Sequence, residues 1–261
     1  HAQNTAFSDS SRFSIGIDDI AGTRNSPTII NPVWGTSFFW DGRAETLEEQ
    51  ALEPVPNPIE MHLKWSEAVV KLGNHASYPS LFAKAFGTDK ITKELTAKAI
   101  AQFERTLISA NSKYDTRVFT DSEQRGFELY FSEKADCFHC HGTVLLTDNL
   151  FHNNGLDETF SDLGLGERTQ NPSDYGKFKT PTLRNIEFSA PYMHDGRFKT
   201  LEEVVDFYSD GLKYSESIDP LMKNVFRGGV RLSDSEKADL IAFLKTFSDT
   251  EFLTNPKFAK P

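Results

Sequence analysis

Residues 137–141 read Cys-Phe-His-Cys-His and contain both cysteines of the chain. Thiols three residues apart lie about one helical turn from each other, a spacing that lets them add to the two vinyl groups on one edge of a porphyrin. The imidazole that follows at once, His141, then reaches the iron from one face. Two other chemistries use the same residue types. A redox dithiol needs a strand-to-helix setting that the flanking sequence lacks. A zinc site would draw on Cys137, Cys140, His139 and His141, but adjacent ligands strain a tetrahedron, and no second Cys/His pair stands at finger spacing. Covalent haem attachment fits the spacing best.

Helices must carry these groups. A helical run is predicted from a cap at Asp121-Ser122-Glu123-Gln124 through Phe127, Leu129, Tyr130 and Phe131, delivering the cysteine pair. Upstream, the first 34 residues read as loop, with Pro27 and Pro32 bracketing a short apolar step. Thr46 and Glu49 have the spacing of a capping box for a short helix, which Pro54, Pro56 and Pro58 stop before Glu60 and Met61. Further helices are predicted over 63–73 and 77–86. Another is predicted from Thr92 to Ser109, with an apolar face of Leu95, Ala99, Ile100, Phe103 and Leu107. Residues 110–120 read as a linker and 142–178 as loop-rich; helices are expected again at 200–209 and 233–247. Strand patterns are weak, so the expected fold class is mainly α.

Composition narrows the function. The chain has 261 residues, 38% hydrophobic and 25% charged, as a globular protein has, and its 22 Phe suit the wrapping of large apolar cofactors. Its formal charge is 28 − 38 = −10 with no basic block, which argues against nucleic-acid binding and suits attraction of a basic electron carrier. No apolar run approaches the ~18 residues of a membrane span. Two cysteines in one short stretch make no disulfide framework. The opening HAQNTAFSD has neither an initiator Met nor a basic-then-apolar leader, as expected of a processed or incomplete chain. Because c-type haem is attached outside the cytoplasm in bacteria, the expected location is the periplasm.

Six strings in order resemble the bacterial di-haem cytochrome c peroxidases and their MauG-like relatives over essentially the whole chain. They are RNSPT at 24–28, FFWDGRAETLEEQALEPVPNPIEM at 38–61, CFHCH at 137–141, KTPTLRN at 179–185, APYMHDGRFKTLEEVV at 190–205 and LSDSEKADLIAFL at 232–244. The resemblance implies two cytochrome c-like haem domains packed face to face, a peroxidatic one over 1–115 and an electron-transfer one over 116–261. Two haem c groups follow. His1 matches the proximal ligand of the first, whose cysteines would precede the sequence given. Gln50 and Glu60 match its distal side, with Glu60 moving the proton during peroxide cleavage and Gln50 orienting ligand or water. Residues 2–24 lack the histidine that blocks this iron in many relatives, which implies an open or water-bound site.

Trp40 matches the tryptophan between the haems, and Asn25, Ser189 and Pro191 match oxygen ligands of an interdomain calcium ion. At the second haem His141 is the proximal ligand. Classical members place a methionine fourteen residues after the histidine equivalent to His194, where this chain has Tyr208. The resemblance therefore implies tyrosine ligation, with Met222 or Met193 as alternatives. His194 would lie beside this haem, and Arg184 and Arg197 would pair with propionates. The implied activity is reduction of hydrogen peroxide to water with electrons from a small redox protein, cytochrome c or a cupredoxin. The alternatives are a MauG-like oxidase acting on a protein or small aromatic, and a non-enzymatic electron-transfer cytochrome. A homodimer is also common in this group.

Overall fold

The structure, a computed structural model, describes residues 1–259 and is mainly helical. Its helices are α1 Leu47–Leu52, α2 Trp65–Gly73, α3 Tyr78–Phe86, α4 Lys93–Glu104, α5 Lys113–Thr116, α6 Asp121–Tyr130, α7 Phe138–His141, α8 Leu165–Thr169, α9 Leu201–Asp210, α10 Asp234–Lys245 and α11 Thr250–Thr254. The sheet is one small antiparallel pair, β1 Phe151–His152 and β2 Phe178–Lys179, in the register Phe151↔Lys179 and His152↔Phe178.

Side-chain caps start most of the longer helices. Thr46, Thr92, Thr200 and Ser233 each accept the N–H of the residue three positions on. At α1 the box closes one residue early, because Glu49 accepts the N–H of Glu45 instead of that of Thr46. The cap of α6 is Thr120, paired reciprocally with Glu123, and so lies one residue before the predicted start.

The larger core joins α6, α9 and α10 around Tyr130, Phe243 and Phe247, whose rings meet edge to face at 5.1–5.7 Å. Gly126 lets α6 and α10 touch: a Cβ there would lie 2.0 Å from the Asp239 carbonyl oxygen and 2.6 Å from Phe243 Cβ. From the end of α6 the Tyr130 hydroxyl donates to the His141 carbonyl at 3.0 Å, which anchors α7 to the core.

In the first half α1 packs on α4, and the Arg105 guanidinium clasps Glu48 across them at 2.8 and 2.9 Å. Two expectations change here. Helix α4 ends at Glu104, five residues short of Ser109, because Ser109 is drawn into hydrogen bonds with Asn31. The residues α4 buries are Ala97, Ala101 and Glu104, whereas Ile100 and Phe103 face solvent.

The predicted linker is also more ordered than its composition suggests. Asp249 accepts from the Ser109 hydroxyl and the N–H groups of Ala110 and Asn111 at 3.0–3.1 Å, and Ser112 with Asp115 caps α5. Residues 249–258 return to the N-terminal segment. Phe252 packs on Phe7, and the Gln3 amide donates to the carbonyls of Phe252 and Asn255. The end of the chain therefore builds the core of the beginning, across the boundary drawn at 115/116.

Replacing Asp249 by Ala strands several buried donors and is expected to lower stability by about 3–5 kcal/mol. Urea unfolding of the D249A protein checks this, and a loss under about 1 kcal/mol would contradict it.

Candidate functional site

A cleft runs between α7, α9, the β1–β2 pair and the segment around Trp40. Cys137, Cys140 and His141 line it together with Trp40, Met193, His194, Tyr208 and Met222. Leu183, Ile186, Leu201, Val205, Leu240 and Leu244 make the remaining wall largely apolar.

On α7 the His141 N–H donates to the Cys137 carbonyl at 3.0 Å, one helical turn that spans both thiols. The cysteines are not joined to each other. Burial pushes the Cys137 thiol up to about 12, the reverse of an activated redox cysteine. The zinc set is not assembled either. His139 turns its Nδ1 to Asp136 at 2.6 Å, and among the described residues no metal-sized cluster contains both cysteines.

The ring of His141 is oriented for ligation. Its Nδ1 lies 2.9 Å from the Leu146 carbonyl, which only accepts, so Nδ1 carries the hydrogen and Nε2 keeps its lone pair. Burial lowers its pKa and favours the neutral ring. His1 repeats the device, with Nδ1 2.8 Å from the Phe7 carbonyl. An apolar slot with paired thiols, a neutral oriented imidazole and Tyr208 on the same wall is a donor set that fits a haem.

Trp40 joins the halves. Its Nε1 donates to the Asn25 carbonyl at 2.8 Å, its own carbonyl accepts the Lys179 N–H at 2.8 Å, and the Asn25 N–H donates to the His194 carbonyl at 2.6 Å. Asn25, Ser189 and Pro191 share this wall. The Asn25 amide nitrogen is used by the Ser11 and Arg12 carbonyls, which leaves its oxygen to accept, and such a neutral oxygen set suits a hard cation. His194 is stacked on Phe178, with centroids 3.6 Å apart and planes 9° from parallel, and burial lowers its pKa.

Both arginines that the resemblance pairs with propionates are held by carboxylates of the protein itself. Arg184 is buried, held by both oxygens of Asp115 at 2.7 and 2.8 Å and by the Val144 carbonyl, and it is absent from the cleft wall. Arg197 binds Asp157 and Asp195 in a smaller polar pocket behind His194. Both guanidiniums are satisfied by carboxylates the sequence reading did not pair with them. Of the cations on the cleft wall, His152 and Lys223 are paired with carboxylates, whereas Lys179 has no carboxylate partner among the described residues and burial lowers its pKa to about 8.

His152, beside Cys140, is held between Asp148 at 2.8 Å and Asp219 at 2.6 Å. These two carboxylates push its pKa to about 12, so it is an imidazolium with no lone pair for a metal. In the cluster of Glu133, Asp136 and His139, the Lys223 ammonium binds both carboxylates and already supplies the positive charge.

In the first half, Gln50 sits on α1 and Glu60 in the turn that follows. The Asn57 amide donates to Glu60 Oε1 at 2.7 Å, and the Glu60 N–H donates to the Asn57 carbonyl at 3.0 Å. No hydrogen bond among the described residues links His1, Gln50 and Glu60; each is placed by its own local contacts.

The sequence profile of the di-haem cytochrome c peroxidase family matches residues 1–123. The chain is 34% identical over 255 residues to the methylamine utilization protein MauG of Methylophilus methylotrophus, covering 94% of this chain and 74% of that protein. It is 32% identical to the cytochrome c551 peroxidase of Nitrosomonas europaea, covering 95% and 71%. A solved MauG-like protein associated with microbial copper homeostasis superimposes with a TM-score of 0.93 at 37% identity, covering all of this chain and 85% of that one. With this fold and these relatives, the chain belongs to the family of di-haem cytochrome c peroxidases and MauG proteins, which are oxidoreductases built from two cytochrome c-like domains.

Glu104 was missed by sequence reasoning, because in a helical pattern it looks like one more solvent-facing charge. It is 7% exposed, its Oε2 has no hydrogen-bond partner among the described residues, and burial raises its pKa from 4.5 to about 7. A raised folded-state pKa means stability is full below the unfolded value and falls as pH rises through about 7. Glu104→Gln is therefore expected to flatten the decline in melting temperature between about pH 5 and about pH 8. Thermal melts of the two proteins across that range check it, and parallel pH profiles would contradict it.

Proposed function

We propose that this protein reduces hydrogen peroxide to two waters, taking two electrons from a small periplasmic donor, a cytochrome c or a cupredoxin, and two protons from solvent. When bound, the two haems supply the iron that takes up peroxide and the store from which electrons reach it. His141 and His1 would hold the irons through Nε2, each ring fixed by its Nδ1 bond to a backbone carbonyl. Cys137 and Cys140 would carry the thioethers of the second haem, Tyr208 would face its iron, and Lys179 would neutralise a propionate.

The observation that carries the peroxidase reading is the carboxylate of Glu60. Asn57 pins one of its oxygens, and the turn closed by the Met61 N–H to the Pro54 carbonyl and the Leu63 N–H to the Val55 carbonyl fixes the backbone. The second oxygen remains to take a proton from one end of peroxide and return it to the other, so that water leaves. Gln50, on the helix just before this turn, would orient the ligand. Trp40, bonded to both halves, would lie on the electron path. Calcium held by the oxygens of Asn25, Ser189 and Pro191 would brace the same junction.

A second reading, oxidation of a protein or small aromatic in the manner of MauG, draws support from Tyr208. Its phenol stands at the cleft where a methionine serves in classical peroxidases. Phenolate ligation favours ferric and higher-valent iron and so lowers the potential of that haem.

Glu60→Gln is expected to cut peroxide turnover about a hundredfold or more while both haem spectra persist. Unchanged steady-state kinetics would remove Glu60 from the mechanism. Comparing peroxide-dependent oxidation of reduced cytochrome c with that of aromatic substrates separates the two readings; the peroxidase reading expects the cytochrome to be consumed much faster.

A further inference from the structure

Three side chains able to ligate iron, Met193, Tyr208 and Met222, gather against the same apolar group of Leu156, Phe207 and Leu212, and all three line the cleft. Apolar packing does not choose among them. One polar side chain discriminates. Asn154 donates through Nδ2 to the Tyr208 hydroxyl oxygen at 3.0 Å, and the same nitrogen lies 3.6 Å from the Met193 sulfur. Neither contact reaches Met222.

Asn154 is rigidly mounted. It follows β1, and its neighbour Asn153 is fully buried, donating to the hydroxyls of Ser215 and Ser217 and accepting the Gly155 N–H. The Asp219 N–H to Asn153 carbonyl bond and the Lys213 N–H to Gly155 carbonyl bond tie the same backbone to the loop over the cleft. Tyr208 is equally constrained, on α9, with its carbonyl accepting the Val230 N–H.

The geometry points to Asn154 as the positioning residue that selects the axial ligand of the second haem, presenting the oxygen of Tyr208 to the iron and restraining the sulfur of Met193. An amide N–H suits this task. It donates well to an oxygen that bears negative charge and only weakly to a thioether, so it favours a metal-bound phenolate over its sulfur competitor. An amide also cannot lose or gain a proton in the working range, so the preference is constant with pH.

This inference rests on the reading of Tyr208 as a ligand, and the test separates the two. Tyr208→Phe is expected to abolish the low-spin tyrosinate signal of the ferric holoprotein in low-temperature electron paramagnetic resonance. Asn154→Asp, which keeps the shape but turns a carboxylate toward the phenol oxygen, and Asn154→Leu, which removes the donor, are each expected to lose most of that signal. Both should also raise the midpoint potential of the second haem, as sulfur or no ligand replaces phenolate. If Tyr208→Phe alters the spectrum while both Asn154 variants keep the parent signal and potential, the selector role is overturned and the ligand stands. If Tyr208→Phe leaves the spectrum unchanged, the ligand reading falls, and the inference with it. Should Asn154→Leu fail to fold, the isosteric Asn154→Asp decides.

Discussion

A single buried carboxylate holds the two halves of this molecule in register. Asp249 gathers the Ser109 hydroxyl and the N–H groups of Ala110, Asn111 and Phe252, while its own N–H donates to Asn185. Asn185 in turn bonds Ser109, and Asn31 closes the set by accepting the Ser109 N–H and donating to its carbonyl. A hydrogen bond in a dry interior is costly to leave unmade, so these groups act together. Four segments meet there: the early loop, the connection after α4, the KTPTLRN stretch and the start of α11.

Charge placement in the cleft follows the same logic. Arg184, Arg197 and His152 each sit between carboxylates or carbonyls of the protein itself, so they stiffen the frame. Lys179 is left on an apolar wall without an anion, at a desolvation cost that the arrival of a negatively charged cofactor group would offset.

The two halves differ in how much of their chemistry is built into one body. Around α7 the candidate ligands share a wall, and the carbonyl of Leu146 already orients the imidazole of His141. In the first half His1, Gln50 and Glu60 are fixed by separate local bonds.

Features that depend on a few neighbouring residues were readable in advance. The haem-attachment spacing and the Thr46 cap of α1 arise from contacts three or four residues apart. What the sequence alone did not determine was the choice of distant partners. Arg184 finds Asp115 across 69 positions, Ser109 finds Asp249 across 140, and α4 buries Glu104 while exposing Phe103. Such pairings are set by which backbones approach closely enough to exclude water. A charge that would stay solvated on an isolated helix is desolvated only once another element covers it, and only the tertiary structure decides which element that is.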